Sequence, residues 1–178
     1  TPSSNVSFQD GYNALNLSAL GNIKERSAYR SVNRIHEHMK VWLPDFTGLD
    51  WSMTTNIDVE GECNAFFDGS SINFFAEGGG CNATSLIADV VWHEYGHGIN
   101  SMYYESLGYW FQNGAMGEGY ADFWAMSLGD LAEIGKGFYT DSEDGIRIYS
   151  EDPKVYPEDL VGEVHADGEI ICGAWYDT

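Results

Sequence analysis

The sequence predicts an α+β domain, and three observations lead there. Apolar residues recur at helical spacing between Lys24 and Leu43, short β-like runs punctuated by Gly and Asp fill Leu49 to Phe75, and two further helical stretches follow residue 84. A chain of 178 residues is long enough for one such domain with a sizeable core. Strands collect in the first half and helices in the second, which predicts a strand-bearing N-terminal lobe (residues 1–104, including a central helix) and a mainly helical C-terminal part (105–178).

Residues 1–22 are rich in Ser, Asn and Gly and are expected to be an irregular lead-in. In the first helix Ala28, Val32, Ile35, Met39 and Leu43 form one face, and Pro44 marks its end. Five of the eight basic residues (Lys24, Arg26, Arg30, Arg34 and Lys40) lie on it, with His36 and His38 read as packing or surface residues. Strands are then expected over Trp51 to Val59, Ala65 to Phe67 and Ile72 to Phe75, with Asp68 to Ser71 as a hairpin connection. Thr84 or Ser85 is the expected N-cap of a buried helix running through Leu86, Val90 and Val91 towards Tyr103. Gly96 and Gly98 inside it each cost about 1 kcal/mol relative to Ala, so they mark a close approach or the point where the helix gives way. Another helix is expected from Glu118 to Leu128. The acidic stretch Asp141 to Glu169 reads as a solvated loop, followed by a helix over Ile170 to Tyr176 that the chain leaves incomplete.

The net charge of −20 disfavours nucleic acid and anionic membranes as partners and attracts cations. A calcium site drawn from Asp141, Glu143, Asp144, Asp152 and Asp159 is the alternative reading of the acidic loop. No apolar run reaches the roughly 18 residues of a membrane span, and Thr1-Pro2-Ser3-Ser4 lacks a signal-peptide pattern, as expected of a mature or trimmed chain. Cys63 and Cys81 flank the predicted strand pair and are the two a disulfide would join, with Cys172 left single; bridged and free states both fit. Asn5, Asn16 and Asn82 stand in Asn-x-Ser/Thr triplets.

The chemistry centres on His93-Glu94-Tyr95-Gly96-His97. Histidines at i and i+4 share a helix face and can reach one metal ion, while Glu94, rotated by roughly 100°, can address a water at that metal. A hydrolytic zinc site wants three protein ligands and an open position. Glu118, 21 residues after His97 beyond a turn of Gly and aromatic residues, is the best third ligand. Asp122, one turn further along, is placed to accept the outer N–H of a ligand imidazole. His165 lies outside the first helix and the motif, in a Gly/Asp-rich setting, and is a candidate donor to a developing oxyanion.

His93-Glu94-Tyr95-Gly96-His97-Gly98, Gly117-Glu118-Gly119-Tyr120-Ala121-Asp122-Phe123 and Val164-His165-Ala166-Asp167-Gly168-Glu169 together resemble the signatures of the fungalysin family. These are secreted zinc metallopeptidases of the thermolysin-like group, in which a glutamate is the third zinc ligand. The resemblance runs from about Tyr29 to the C-terminus. It implies that His93, His97 and Glu118 bind Zn²⁺, that Glu94 is the catalytic acid/base, that Asp122 orients His93 and that His165 steadies the transition state. It also implies that Asn64, Ala65 and Phe66 lie on an edge strand pairing with an extended peptide substrate, as strand addition would allow. Secretion, an incomplete C-terminal lobe and a propeptide outside this chain are expected with it. Gly117 stands where thermolysin has an asparagine, so one outer hydrogen bond is missing or replaced. Tyr103, Tyr104 and Tyr109 are the nearby candidates for an assisting tyrosine. The rival readings are a metal-binding or adhesion module without turnover, and an esterase or amidase using the same metal chemistry on small substrates.

Overall fold

The computed structural model describes residues 21–111 and 113–178. The expected lead-in and the triplets at Asn5 and Asn16 fall outside that range, apart from Gly21 and Asn22. Helix α1 spans Ile23–Trp42, starting one residue earlier than the periodicity suggests because Asn22 forms a capping box with Glu25. Its spaced apolar residues Ala28, Ile35 and Met39 are buried. Both of its histidines bond to neighbouring elements: His36 Nδ1 lies 2.9 Å from the Tyr95 hydroxyl, and His38 Nε2 lies 2.9 Å from Ser127 Oγ.

Three strands follow: β1 (Thr54–Val59), β2 (Ala65–Phe67) and β3 (Ser71–Phe75). They form a sheet in the order β1-β3-β2, with β1 parallel and β2 antiparallel to β3. The Asp68 carboxylate accepts the N–H groups of Ser70 and Ser71 and holds the hairpin turn. Because β3 is central, β2 is an edge strand with one side unpaired in this sheet.

The expected cap at Thr84 or Ser85 gives way to a short 3₁₀ turn over Thr84–Leu86, and helix α2 starts only at Ala88, running to Ser106. The reason is that the Thr84 hydroxyl is engaged elsewhere, donating to the Asn64 carbonyl at 3.1 Å. In α2, Val91, Tyr95 and Ile99 recur at four-residue spacing and lie in the core with Ile35, Met39, Ile72 and Phe74. His93 and His97 sit two positions away, about 200° around the axis, and so leave the opposite side of the helix. The helix does not give way at Gly96. An added Cβ there would lie 3.0 Å from the Ala121 Cα, so Gly96 serves close approach.

Helix α3 spans Gly114–Gly129, capped by Asn113 accepting the Met116 N–H. A small antiparallel pair, β4 (Glu133–Ile134) and β5 (Arg147–Ile148), precedes α4 (Val164–Tyr176). Asp89 in the first turn of α2 accepts the Gly135 N–H at 2.7 Å and fixes this pair beside α2. Helix α4 begins six residues before the expected Ile170, because the Glu163 side chain accepts the N–H groups of His165 and Ala166. His165 therefore stands in a first helical turn, not in a loop.

Helices α3 and α4 cross through glycines. An added Cβ at Gly119 would meet Ile171 Cγ2 and lie 2.5 Å from the Gly168 carbonyl oxygen, so only a hydrogen allows this approach. Gly119→Ala is expected to destabilise the fold by about 1–3 kcal/mol through overpacking, despite the higher helix propensity of Ala. Denaturant unfolding checks this; an unchanged midpoint would show that the crossing can open without cost.

Cys63 and Cys81 are joined by a disulfide. Cys81 also bridges Tyr139, Asn82 N–H donates to the Phe138 carbonyl at 2.9 Å, and Asn82 Nδ2 donates to the Gly137 carbonyl at 2.9 Å. This strap links the start of β2 to the segment after β4. Cys172 is free and buried.

Candidate metal centre

A cleft of ≈ 810 Å³ is lined by Asn64, Ala65, Phe66 and Phe67 around β2, by Val90, His93, Glu94, His97 and Asn100 of α2, and by Gly117 and Glu118 of α3. His165 and the neighbourhood of the β4–β5 pair (Ile134, Phe138, Tyr139, Ile146, Arg147) complete it. Every residue read from the sequence as zinc ligand, acid/base, oxyanion donor or substrate strand therefore lines one cavity. Asp122 lies beneath it, 1% exposed.

His93, His97 and Glu118 form a group that could hold a metal ion. The two Nε2 atoms are 3.1 Å apart, and Glu118 Oε2 lies 3.1 Å from the first and 3.5 Å from the second. Tetrahedral ligands at about 2.0–2.1 Å from zinc stand roughly 3.3–3.4 Å from one another, so the donors already have the spacing such an ion requires. Glu118 Oε2 is buried without a hydrogen-bond partner, which a cation would remedy. The fit is therefore good in both spacing and donor chemistry.

The electrostatics agree. Burial opposes a charge on His93, but the Asp122 carboxylate and Glu118 outweigh it and raise its pKa to about 10. Burial likewise opposes ionised Glu118, yet the His93 and His97 imidazoles facing it hold its carboxyl well below the usual range. The cluster thus calls for positive charge at its centre, and a bound cation could supply it with both imidazoles neutral. Glu94, 5% exposed, has its carboxyl pushed up by burial against the pull of His93 and His97, which suits a group that must take up a proton.

Asp122 accepts from His93 at Nδ1 (2.5 Å), as its position one turn after Glu118 suggests. It also accepts from Arg147 through Nε (2.5 Å) and Nη2 (2.7 Å) and from the Tyr149 hydroxyl (2.5 Å). Burial works against its charge, but Arg147 and then His93 hold it well below the ordinary carboxylate range. His165 turns Nε2 towards Glu118 Oε2 at 3.5 Å, while Nδ1 lies 2.7 Å from Glu163 Oε1. The Ala166 N–H first, then that contact and the His165 N–H, lower the Glu163 carboxyl to about 2.

Arg147 and Tyr139 are cleft residues that the sequence reading did not single out; Tyr103, Tyr104 and Tyr109 are not among the lining residues. Of the acidic residues offered for calcium, Asp152 pairs with Lys154 at 2.7 Å and Asp159 accepts the Val155 N–H at 2.7 Å. Among the described residues, His93, His97 and Glu118 are the one such group that brings its ligand atoms together. No helix among the described residues is long and apolar enough to cross a membrane.

The fold and the cluster together define a mixed α and β domain built around a candidate His-His-Glu metal centre. No protein-family model and no curated protein sequence matches the chain. Among solved structures, it is similar to a precursor of protealysin, a metalloproteinase from Serratia proteamaculans, with a TM-score of 0.60 and 16% identity. The match covers 94% of this chain and 61% of that one, so this chain spans less than two thirds of the neighbour's length. The likeness is one of fold.

Proposed function

We propose that this chain is the catalytic domain of a secreted zinc endopeptidase of the fungalysin type. The observation that carries the reading is the convergence of the His93, His97 and Glu118 donors, the buried Glu94 and the edge strand β2 on one cleft. The metalloproteinase fold of the structural neighbour supports it. The disulfide suits an oxidising compartment, which supports secretion. A propeptide is a further proposed partner, since that neighbour is a precursor.

His93, His97 and Glu118 would hold zinc, which when bound polarises water and a carbonyl oxygen as a Lewis acid. The protein's own groups do the rest. The free side of β2, from Asn64 to Phe66, pairs with an extended substrate backbone and draws it along the cleft. Glu94 takes the proton of the attacking water and passes it to the leaving amine. His165, with Nδ1 against Glu163, keeps Nε2 directed at the reacting carbonyl and donates to the oxyanion. Asp122 keeps His93 in the tautomer whose Nε2 is free to ligate.

The protein is expected to cleave an unfolded protein substrate, to lose that activity on chelation and to regain it with added zinc. Zinc binding without cleavage would instead mark a binding or adhesion module. Turnover of a small ester but not of a longer peptide would mark an esterase.

A further inference from the structure

Asp122 is held more completely than the orientation of one histidine requires. Its Oδ1 accepts from His93 Nδ1 and Arg147 Nη2, and its Oδ2 accepts from Arg147 Nε and the Tyr149 hydroxyl. An ionised carboxylate has about four lone-pair sites, and all of them are used. The charge is already matched by Arg147, so the contribution left to Tyr149 is geometric. Arg147 and Tyr149 are two residues apart on an extended segment and leave it on the same face. Pairing continues beyond β5, where the Tyr149 N–H donates to the Ala132 carbonyl at 2.8 Å. Tyr149 is 6% exposed and does not line the cleft, so water cannot readily replace its hydroxyl on Oδ2. The carboxylate plane cannot turn away from His93 without giving up one of these donors.

We propose that Tyr149 is a positioning residue for the metal centre: its hydroxyl locks the Asp122 carboxylate in the orientation that keeps His93 Nε2 turned towards His97 and Glu118. The role rests on the reading of His93 as a zinc ligand with Asp122 behind it. Tyr149→Phe keeps the ring and its packing and removes only the oxygen, so it isolates the hydroxyl.

The experiment measures zinc dissociation constants, by competition with a chelator of known affinity, for the wild type, Tyr149→Phe, Asp122→Asn and the double variant. It also measures kcat and KM at saturating zinc. Asp122→Asn should weaken zinc by about 10–100-fold, as loss of an outer partner usually does. Tyr149→Phe should weaken it by about 3–10-fold, acting at one remove, and lower kcat with KM unchanged. In the Asp122→Asn background the second change should add less than about twofold, because its effect passes through Asp122. Wild-type or tighter zinc binding by Tyr149→Phe, beside a weakened Asp122→Asn, overturns this proposal alone. Zinc binding unaffected by Asp122→Asn overturns the reading on which it rests. A raised KM or full additivity places the hydroxyl's effect elsewhere and also overturns it. If Asp122→Asn does not fold, unchanged zinc affinity and kcat in Tyr149→Phe are sufficient to reject the role.

Discussion

Glu94→Gln is expected to keep its metal and lose peptide hydrolysis. The amide fills the volume of the carboxyl and leaves His93, His97 and Glu118 untouched, so metal content should match that of the wild type. Glu94 is not part of the donor group, which supports separating binding from turnover. Gln cannot take a proton from water, and general-base catalysis contributes on the order of 10²–10⁴-fold. A drop in kcat of that size is therefore expected, with little change in KM, because the edge strand that would hold substrate is unaltered. The variant also removes a carboxylate whose charge burial disfavours, so its melting temperature should not fall. Turnover near the wild-type rate would remove Glu94 from the mechanism, while loss of metal together with activity would show that the variant had disturbed the donors.

Much of what was legible of this site in the sequence is local. His93 and His97, and likewise Glu118 and Asp122, stand four residues apart, so helix geometry alone puts each pair on a face. Helix α1 was legible for the same reason, through the repeat of Ala28, Val32, Ile35 and Met39. Arg147 and Tyr149 were not. They enter the site through a two-residue strand inside an acidic stretch, and what directs them to Asp122 is pairing with β4, itself tied to α2 by Asp89. Such a short strand has no period to read, and the partners are distant in sequence. The early start of α4 was hidden because Glu163 caps the helix, a role for which Ser, Thr, Asp and Asn are the usual signals. The expected helix start at Thr84 failed because a tertiary bond to Asn64 captured the hydroxyl. Local chemistry thus specified the donors, and tertiary contacts specified how they are held.

Glu118→Ala is expected to lower zinc occupancy far more than His165→Ala does. Removing Glu118 leaves two imidazoles at the centre and takes away the anion that compensates a divalent cation. The loss of affinity should exceed the ~10–100-fold typical of an outer partner. His165 reaches the cluster only across 3.5 Å to Glu118 Oε2, and it is not one of the converging donors, so its removal should leave metal content near that of the wild type and act on kcat. Linkage gives a second, independent measurement. A ligand that binds only the native state stabilises it by RT ln(1 + [L]/Kd), about 2.7 kcal/mol at 100 times Kd. Added zinc should therefore raise the melting temperature of the wild type and of His165→Ala alike, and raise that of Glu118→Ala much less. The opposite order, with His165→Ala losing metal and Glu118→Ala retaining it, would move the third ligand from α3 to α4 and require the mechanism to be rebuilt around a histidine donor.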